Sequence, residues 1–427
     1  MARIILTAWG TFGDVFPALG IALALQARGH DAVVATCGYY RDMVIARGVK
    51  FAPLAPDIDP NDKAFAARVM DPWRGAEAIF KESILPALRT SLTDMRAAAE
   101  GADLIVSHPV TFAAPLVAEE KGLIWLSSVL APISFLSAHD PSVPPAAPSL
   151  RHLLKRGLGW GQAFRWLAHR MTAPWFEPVH ALRRELGLRP VGHALFDGQF
   201  SPWGTLALFS PLIGAPQPDW PPRAVPTGFV NYNGGEPLSP EVEAFLEAGP
   251  APLVFTLGTS AVFVAGDFYE VSIAAAERLG MRALLLTGPD HLERVRRETP
   301  AGMLAVDFAA HAAVFPRAAA IVHQAGMGTL AQGLRSGRPA LIVPHANDQP
   351  DNAWRAARLG VARVLSPAKY RSAAVARHLH ALLADVRYLD AAANIRNALQ
   401  HEDGARAAAD TIEAALRQAV PDTVPGK

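Results

Sequence analysis

Apolar positions in this chain fall in short runs separated by stretches of helical periodicity. The opening "RIILTAWGTFGDVFPALGIALALQARGHDAVVAT" carries an apolar run, a glycine-containing turn, a helical pattern to Arg28, a stop at Gly29 and a second apolar run. That rhythm predicts a β-α-β unit. The next unit is expected from a strand at Leu104–Ser107, a helix over about Thr111–Lys121 and a strand at Ile124–Ser127. The pattern predicts a parallel sheet covered by helices.

Between Pro211 and Gly228, "PLIGAPQPDWPPRAVPTG" holds six prolines, which excludes a helix or a central strand. The same rhythm then restarts. Strands are predicted at Leu253–Leu257, Ala283–Thr287, Ala320–His323 and Ala340–Val343, and helices over about Phe268–Leu279 and from near Thr329. The reading is an α/β chain of two Rossmann-like domains, 1–210 and 229–395, with a linker at 211–228 and a helical tail at 396–427 packing back on the first domain. Ligands of such domains bind in the cleft at the carboxyl ends of the strands.

Composition narrows the picture. A length of 427 residues suits two or three domains at roughly 150 residues each. With 51% hydrophobic and 19% charged residues the chain is expected to be well packed. Lys and Arg number 40 against 39 Asp and Glu, so no excess charge draws it to nucleic acid. Cys37 stands alone, which excludes an internal disulfide or a multi-Cys zinc site and fits a cytoplasmic protein. The longest apolar region, Leu123–Leu136, is broken by Ser127, Ser128 and Pro132 and falls short of the ~20 residues a spanning helix needs. Arg151–Arg170 interleaves basic and aromatic residues, which fits peripheral contact with a membrane or a greasy substrate, or else a cover helix interrupted by Gly157, Gly159 and Gly161.

Candidate chemistry concentrates in "HQAGMGTLAQGLRSGRPALIVPHANDQPDNAWR". The strand ending at His323 turns through Gly326 and Gly328 into a helix whose first N–H groups and dipole suit an anion such as a diphosphate. After the next strand come Asp348 and Gln349, able to accept and donate as vicinal sugar hydroxyls require, and Asn352, able to reach back to a phosphate. Together these loops predict a nucleotide-sugar site, although Asp348 alone also reads as a helix N-cap.

Here the resemblance is specific: "HQAGMGT" followed by "PHANDQPDN" resembles the donor signature of family 1 glycosyltransferases of the two-domain GT-B fold. "GTFGDVFPALGIALALQARGH" is similar to the glycine-aspartate turn of bacterial antibiotic and sterol glycosyltransferases. "PLVFTLGTS", "GDFYEVSIAAAERLG" and "QPDWPP" with "TGF" resemble rhamnosyltransferases that make rhamnolipids.

The resemblance implies inverting transfer from a nucleoside-diphosphate sugar, of dTDP-rhamnose or UDP-glucose type, to a hydroxyl of a hydrophobic acceptor. It implies that His323, the Gly326 to Thr329 amides, Thr259 and Ser260 hold the diphosphate, and Asp348 and Gln349 the sugar. Phe308 stands where the family stacks a Trp on the base, and Ala310 where it has Pro, which implies weaker stacking. Asp14 falls where similar antibiotic enzymes place an essential Asp, and His108 where relatives with a catalytic His carry its Asp partner, a dyad with identities exchanged. On spacing alone Asp14 reads equally as a cap of the helix from Val15 to Arg28, and His108 as a structural histidine.

No metal or cofactor is expected. Asp57-Ile58-Asp59 has the spacing that holds a divalent ion in another glycosyltransferase fold, but it lies between Pro56 and Pro60, far from the donor motif, and reads as a solvated loop. The alternatives are a nucleotide-sugar epimerase of the same fold, a non-catalytic nucleotide-sugar binder, and an NAD-dependent oxidoreductase, whose full G-x-G-x-x-G spacing "GTFGDVF" lacks.

Overall fold

The computed structural model describes residues 1–59, 62–154, 157–232, 234 and 237–419. Outside the described residues lie Pro60, Lys155 and Arg156 within the basic-aromatic stretch, and residues 420–427 of the tail.

The first sheet has seven parallel strands: β1 (Arg3–Thr7), β2 (Asp31–Thr36), β3 (Lys50–Pro53), β4 (Leu104–Ser107), β5 (Ile124–Val129), β6 (Thr205–Ala207) and β7 (Ala224–Pro226). Their order is β3-β2-β1-β4-β5-β6-β7. The second has six parallel strands: β8 (Leu253–Thr256), β9 (Ala283–Leu286), β10 (Met303–Val306), β11 (Ala320–His323), β12 (Ala340–Ile342) and β13 (Ala362–Val364), in the order β10-β9-β8-β11-β12-β13. Because helices cover both faces, the central strands are apolar through their middles and end in polar residues at the cleft. Ile4, Ile5 and Leu104 are fully buried, as are Leu253, Val254 and Phe255.

Six helices matter for function: α1 (Phe12–Gln26), α2 (Lys63–Val69), α3 (Leu158–Thr172), α4 (Met327–Ser336), α5 (Gln349–Arg358) and α6 (Gly404–Ala419). Each sheet reverses its strand order once, between β1 and β4 in the first and between β8 and β11 in the second. A reversal leaves a crevice above the strand ends, where two connections depart in opposite directions. The loops carrying Asp14 and His108 rise from the first crevice, and those carrying Thr259 and Gln324 from the second.

Two boundaries differ from the sequence reading. The Pro-rich stretch is not wholly connection, since Ala224–Pro226 pairs with β6 as the sheet edge, where a proline's missing donor is harmless. The helix Val386–Leu399 packs Ala392 and Leu399 into one cluster with Leu330 and Leu334 of α4, so the tail departs after Leu399 rather than at residue 396. Beyond it, α6 buries Ala408, Ala409, Ile412 and Ala415 in the first domain's core, among residues of α1. Arg28 donates to Asp410 at 2.7 Å and to Glu413 at 3.1 Å, fixing this return.

Candidate active site

The turn after β1 explains its own sequence. Thr11 is the N-cap of α1: its side chain accepts from Gly13 N, and Asp14 Oδ2 accepts from Thr11 N at 2.7 Å, a reciprocal capping box. Gly10, at φ +130°, is required because a Cβ there would lie 2.3 Å from Asp14 Oδ2. The second carboxylate oxygen, Oδ1, lies 3.4 Å from His108 Nε2.

His108 is held from both sides at the end of β4. Its N–H donates to Thr7 Oγ1 at 2.8 Å, its carbonyl accepts from Thr111 Oγ1 at 2.9 Å, and its Nδ1 accepts from Val110 N at 3.5 Å. With Nδ1 used as an acceptor, the network assigns the ring proton to Nε2, facing Asp14. Asp14 is thus not the N-cap, which is Thr11 because the helix starts at Phe12 rather than Val15; it is the third helical residue, with one oxygen in the capping box and the other near His108. His108 is buried, whereas Asp14 opens to the cleft with 31% of its side chain exposed.

At the second crevice the helix start is arranged differently. The Gly326 N-cap of α4 contributes no side-chain bond, so the first-turn N–H groups point into the cleft without an internal acceptor. At α1 the carboxylate of Asp14 already satisfies and neutralises the helix terminus. The first turn of α1 is thereby a poorer place for a pyrophosphate than the uncapped start of α4.

His323 lies beneath α4, with its Nε2 buried without a hydrogen-bond partner. It is fully buried, its Nδ1 accepts from Ala325 N at 3.0 Å, and its Nε2 lies 3.5 Å from where a Gly333 Cβ would stand, inside α4. Burial pushes its imidazole down to about 3, with His311 adding to the effect, so it stays neutral. The next residue, Gln324, lies between the two loops. Gln324 brings Nε2 within 3.5 Å of Thr329 Oγ1 and so close to Gly258 that a Cβ there would meet it at 2.2 Å, while its Oε1 is buried without a partner. Ala325 adopts φ +67°, a non-glycine in the left-handed region, and so redirects the chain after β11, a turn that no residue type in the sequence signals. Thr259, exposed, and Ser260, half-buried, follow Gly258 on the neighbouring loop.

The sugar-side loop is internally braced. Gln349 Oε1 accepts from His345 N at 2.8 Å, leaving its amide nitrogen for other partners. Asp348 stands at the N-cap of α5 without making a side-chain cap bond; its Oδ2 accepts from Asn352 Nδ2 at 2.7 Å. Asn352 is fully buried, and Nδ2 also donates to Ala325 O at 3.0 Å. It therefore ties the two donor loops together instead of reaching the phosphate position. Asp348 keeps part of its surface open, yet burial pushes its carboxyl up to about 7. The Asn352 bond opposes that shift, and the negative charge of Asp14 adds to it. Phe308, 57% exposed at the end of β10, offers an uncovered ring.

The two crevices meet. A Cβ on Gly328 would lie 3.6 Å from Gly13 Cα, so the N-termini of α4 and α1 touch across the cleft. A buried ion cluster fixes this closure. Arg355 of α5 donates through Nε to Asp351 Oδ2 at 2.8 Å and through Nη1 to Ile213 O at 3.0 Å, and Nη1 also pairs with Asp140. Asp351 Oδ1 accepts from Val143 N at 2.9 Å. On the opposite side, Asn347 Nδ2 donates to Val69 O at 3.3 Å, and Met70, just past α2, enters the second domain's core.

Among the described residues no group of three or more His, Cys, Asp or Glu side chains is placed to hold a metal ion. Asp57 serves the backbone, with Oδ1 accepting from Gly38 N at 2.7 Å. No helix among the described residues is long and apolar enough to cross a membrane.

Two facing Rossmann-like domains, one carrying an acid-histidine pair and the other an open helix terminus, define the class: a GT-B transferase architecture. Comparison with known proteins agrees. A family model for the glycosyltransferase family 28 N-terminal domain matches residues 4–124, and one for the erythromycin biosynthesis protein CIII-like C-terminal domain matches residues 282–414. An uncharacterised glycosyltransferase of Mycobacterium leprae is 30% identical over 428 residues, covering 96% of this chain and 96% of its own. The O-mycaminosyltylonolide 6-deoxyallosyltransferase of Streptomyces fradiae is 29% identical over 423 residues, covering 96% of this chain and 97% of its own. A solved spinosyn rhamnosyltransferase complexed with thymidine diphosphate shares the fold at 17% identity, with a TM-score of 0.70 over 97% of this chain and 100% of that one. The chain belongs to the glycosyltransferases.

Proposed function

We propose that this enzyme is an inverting, metal-independent glycosyltransferase that moves a sugar from a nucleoside diphosphate to a hydroxyl of an apolar small-molecule acceptor. The observation that carries the reading is the opposition of the Asp14–His108 pair to the uncapped start of α4, with Gly13 and Gly328 in contact between them. Asp14 takes the acceptor's hydroxyl proton while the acceptor oxygen bonds to the anomeric carbon and the bond from that carbon to the diphosphate oxygen breaks. A single displacement from the opposite face inverts the anomeric centre. His108, with Nε2–H towards Asp14, holds the carboxylate in place. Charge building on the leaving diphosphate is offset by the N–H groups of Gly326 to Thr329 and by Gln324, fixed dipoles that replace a cation.

Thr259 and Ser260 complete the diphosphate cradle, Asp348 and the Gln349 amide take the sugar hydroxyls, and Phe308 lies under the base. A thymidine nucleotide is the favoured donor, supported by the thymidine diphosphate bound in the rhamnosyltransferase of the same fold. Incubating the purified protein with dTDP-rhamnose or UDP-glucose and a panel of polyketide, sterol and lipid alcohols tests the reading by product mass and anomeric coupling. Transfer with inversion that survives EDTA is expected. A retained anomeric configuration, or loss of transfer in EDTA restored by magnesium or manganese, overturns it.

A further inference from the structure

Between Asp140 and Glu177 the sequence has no acidic residue and five cationic ones: Arg151, Lys155, Arg156, Arg165 and Arg170. Helix α3 lies within this stretch, and its two faces differ. The inner face is tight, since a Cβ on Gly161 would lie 2.1 Å from Ala138 O, and Arg165 Nη1 approaches Asp219 at 3.6 Å. The outer face is apolar and uncovered. Trp160, Leu167 and Met171 recur at helical spacing, with Trp166 beside them; Trp166 is 65% and Met171 64% exposed. Isolated exposed apolar residues are ordinary, whereas a seam of this kind on one helix marks a contact surface.

The charge around the seam selects its occupant. Of the acidic neighbours of α3, Asp219 is engaged by Ser137 Oγ at 2.6 Å and Ala138 N at 2.7 Å, and Asp197, near His169, accepts from His193 N at 2.7 Å. Arg151 and Arg170 form no ion pair among the described residues. A two-fold copy of the chain would set these cations against their own equivalents. An anionic lipid surface satisfies both properties, taking Trp and Met side chains at the headgroup boundary and the arginines at the phosphates. We propose that α3 docks this protein peripherally on anionic membranes, with the helix lying in the interface. This inference stands apart from the assignment of the transferase chemistry.

The test is cosedimentation of the full chain with phosphatidylcholine vesicles, with and without phosphatidylglycerol. Binding to the anionic vesicles, weak on phosphatidylcholine alone and reduced by salt, is expected. Arg170→Gln should weaken it about fivefold, and the pair Trp166→Ser with Met171→Ser on the order of tenfold or more. Because these side chains are exposed, circular dichroism and nucleoside diphosphate binding should match the parent. No binding to either vesicle, binding undiminished in the double variant, or a dimer in solution that the double variant dissolves would each overturn the proposal.

Discussion

His108 Nε2 stands 3.4 Å from Asp14 Oδ1, while Oδ2 of the same carboxylate accepts from Thr11 N at 2.7 Å. One side chain therefore serves the helix with one oxygen and the cleft with the other. That division lets the two roles be separated by substitution.

Asn at position 14 retains an oxygen for Thr11 N but is not a base. Asp14→Asn should lower kcat by about a hundredfold or more while leaving nucleotide affinity and melting temperature near the parent values. Asp14→Ala should in addition cost about 1 kcal/mol of stability through loss of the cap. Steady-state kinetics beside calorimetric binding decide it, and an Asn variant with near-parent kcat would leave Asp14 a capping residue only.

Gln324 and His323 are adjacent and both buried, but only His323 braces the backbone, through Ala325 N. Gln324→Ala should weaken binding of free UDP or dTDP with little change in melting temperature, because its Oε1 has no internal partner to lose. His323→Ala should act mainly on stability, since it opens a cavity beneath α4 and frees Ala325 N. Calorimetric titration with the two diphosphates, set against thermal melts, separates them. A selective loss of nucleotide binding in the His323 variant would return that residue to the diphosphate.

Asp348 links pH to stability. Its folded carboxyl is raised to about 7, above its value in the unfolded chain, so the folded state holds the extra proton between roughly pH 4 and 7. The ligand-free protein should therefore lose stability as pH rises through that window. Asp348→Asn should flatten the dependence, and should weaken binding of the nucleotide sugar while sparing the free nucleoside diphosphate. Denaturant melts between pH 5 and 8 supply the measurement; an unchanged slope in the variant would contradict the crowding at Asp348.

Much of this was legible in the chain itself. Leu104–Ser107 and Ala320–His323 were readable to the residue, because a buried parallel strand is an apolar run with polar or turn residues on either side. Ala224–Pro226 was not, since an edge strand three residues long containing proline carries no such signal. The residue types of the donor loops marked their neighbourhood, but the direction each side chain takes after β11 depended on the φ of Ala325. Asp351 and Arg355 have the spacing of a helical pair, yet the contact of Arg355 with Asp140 joins positions 215 apart, which no local pattern encodes.

Gly328 carries the last expectation. A Cβ there would lie 3.6 Å from Gly13 Cα, at ordinary contact distance. Alanine should fit with at most a modest loss of transfer. Valine adds two carbons that extend towards α1, and the short turn at Gly13 has no flexible side chain to yield. The domains would then be held apart just where acceptor and donor must meet. Gly328→Val should consequently abolish most transfer while retaining nucleoside diphosphate binding, because the amides of the α4 terminus keep their directions. Kinetics and calorimetry on both variants make the comparison. Equal loss of nucleotide binding and transfer in the Val variant would instead place the obstruction in the phosphate pocket.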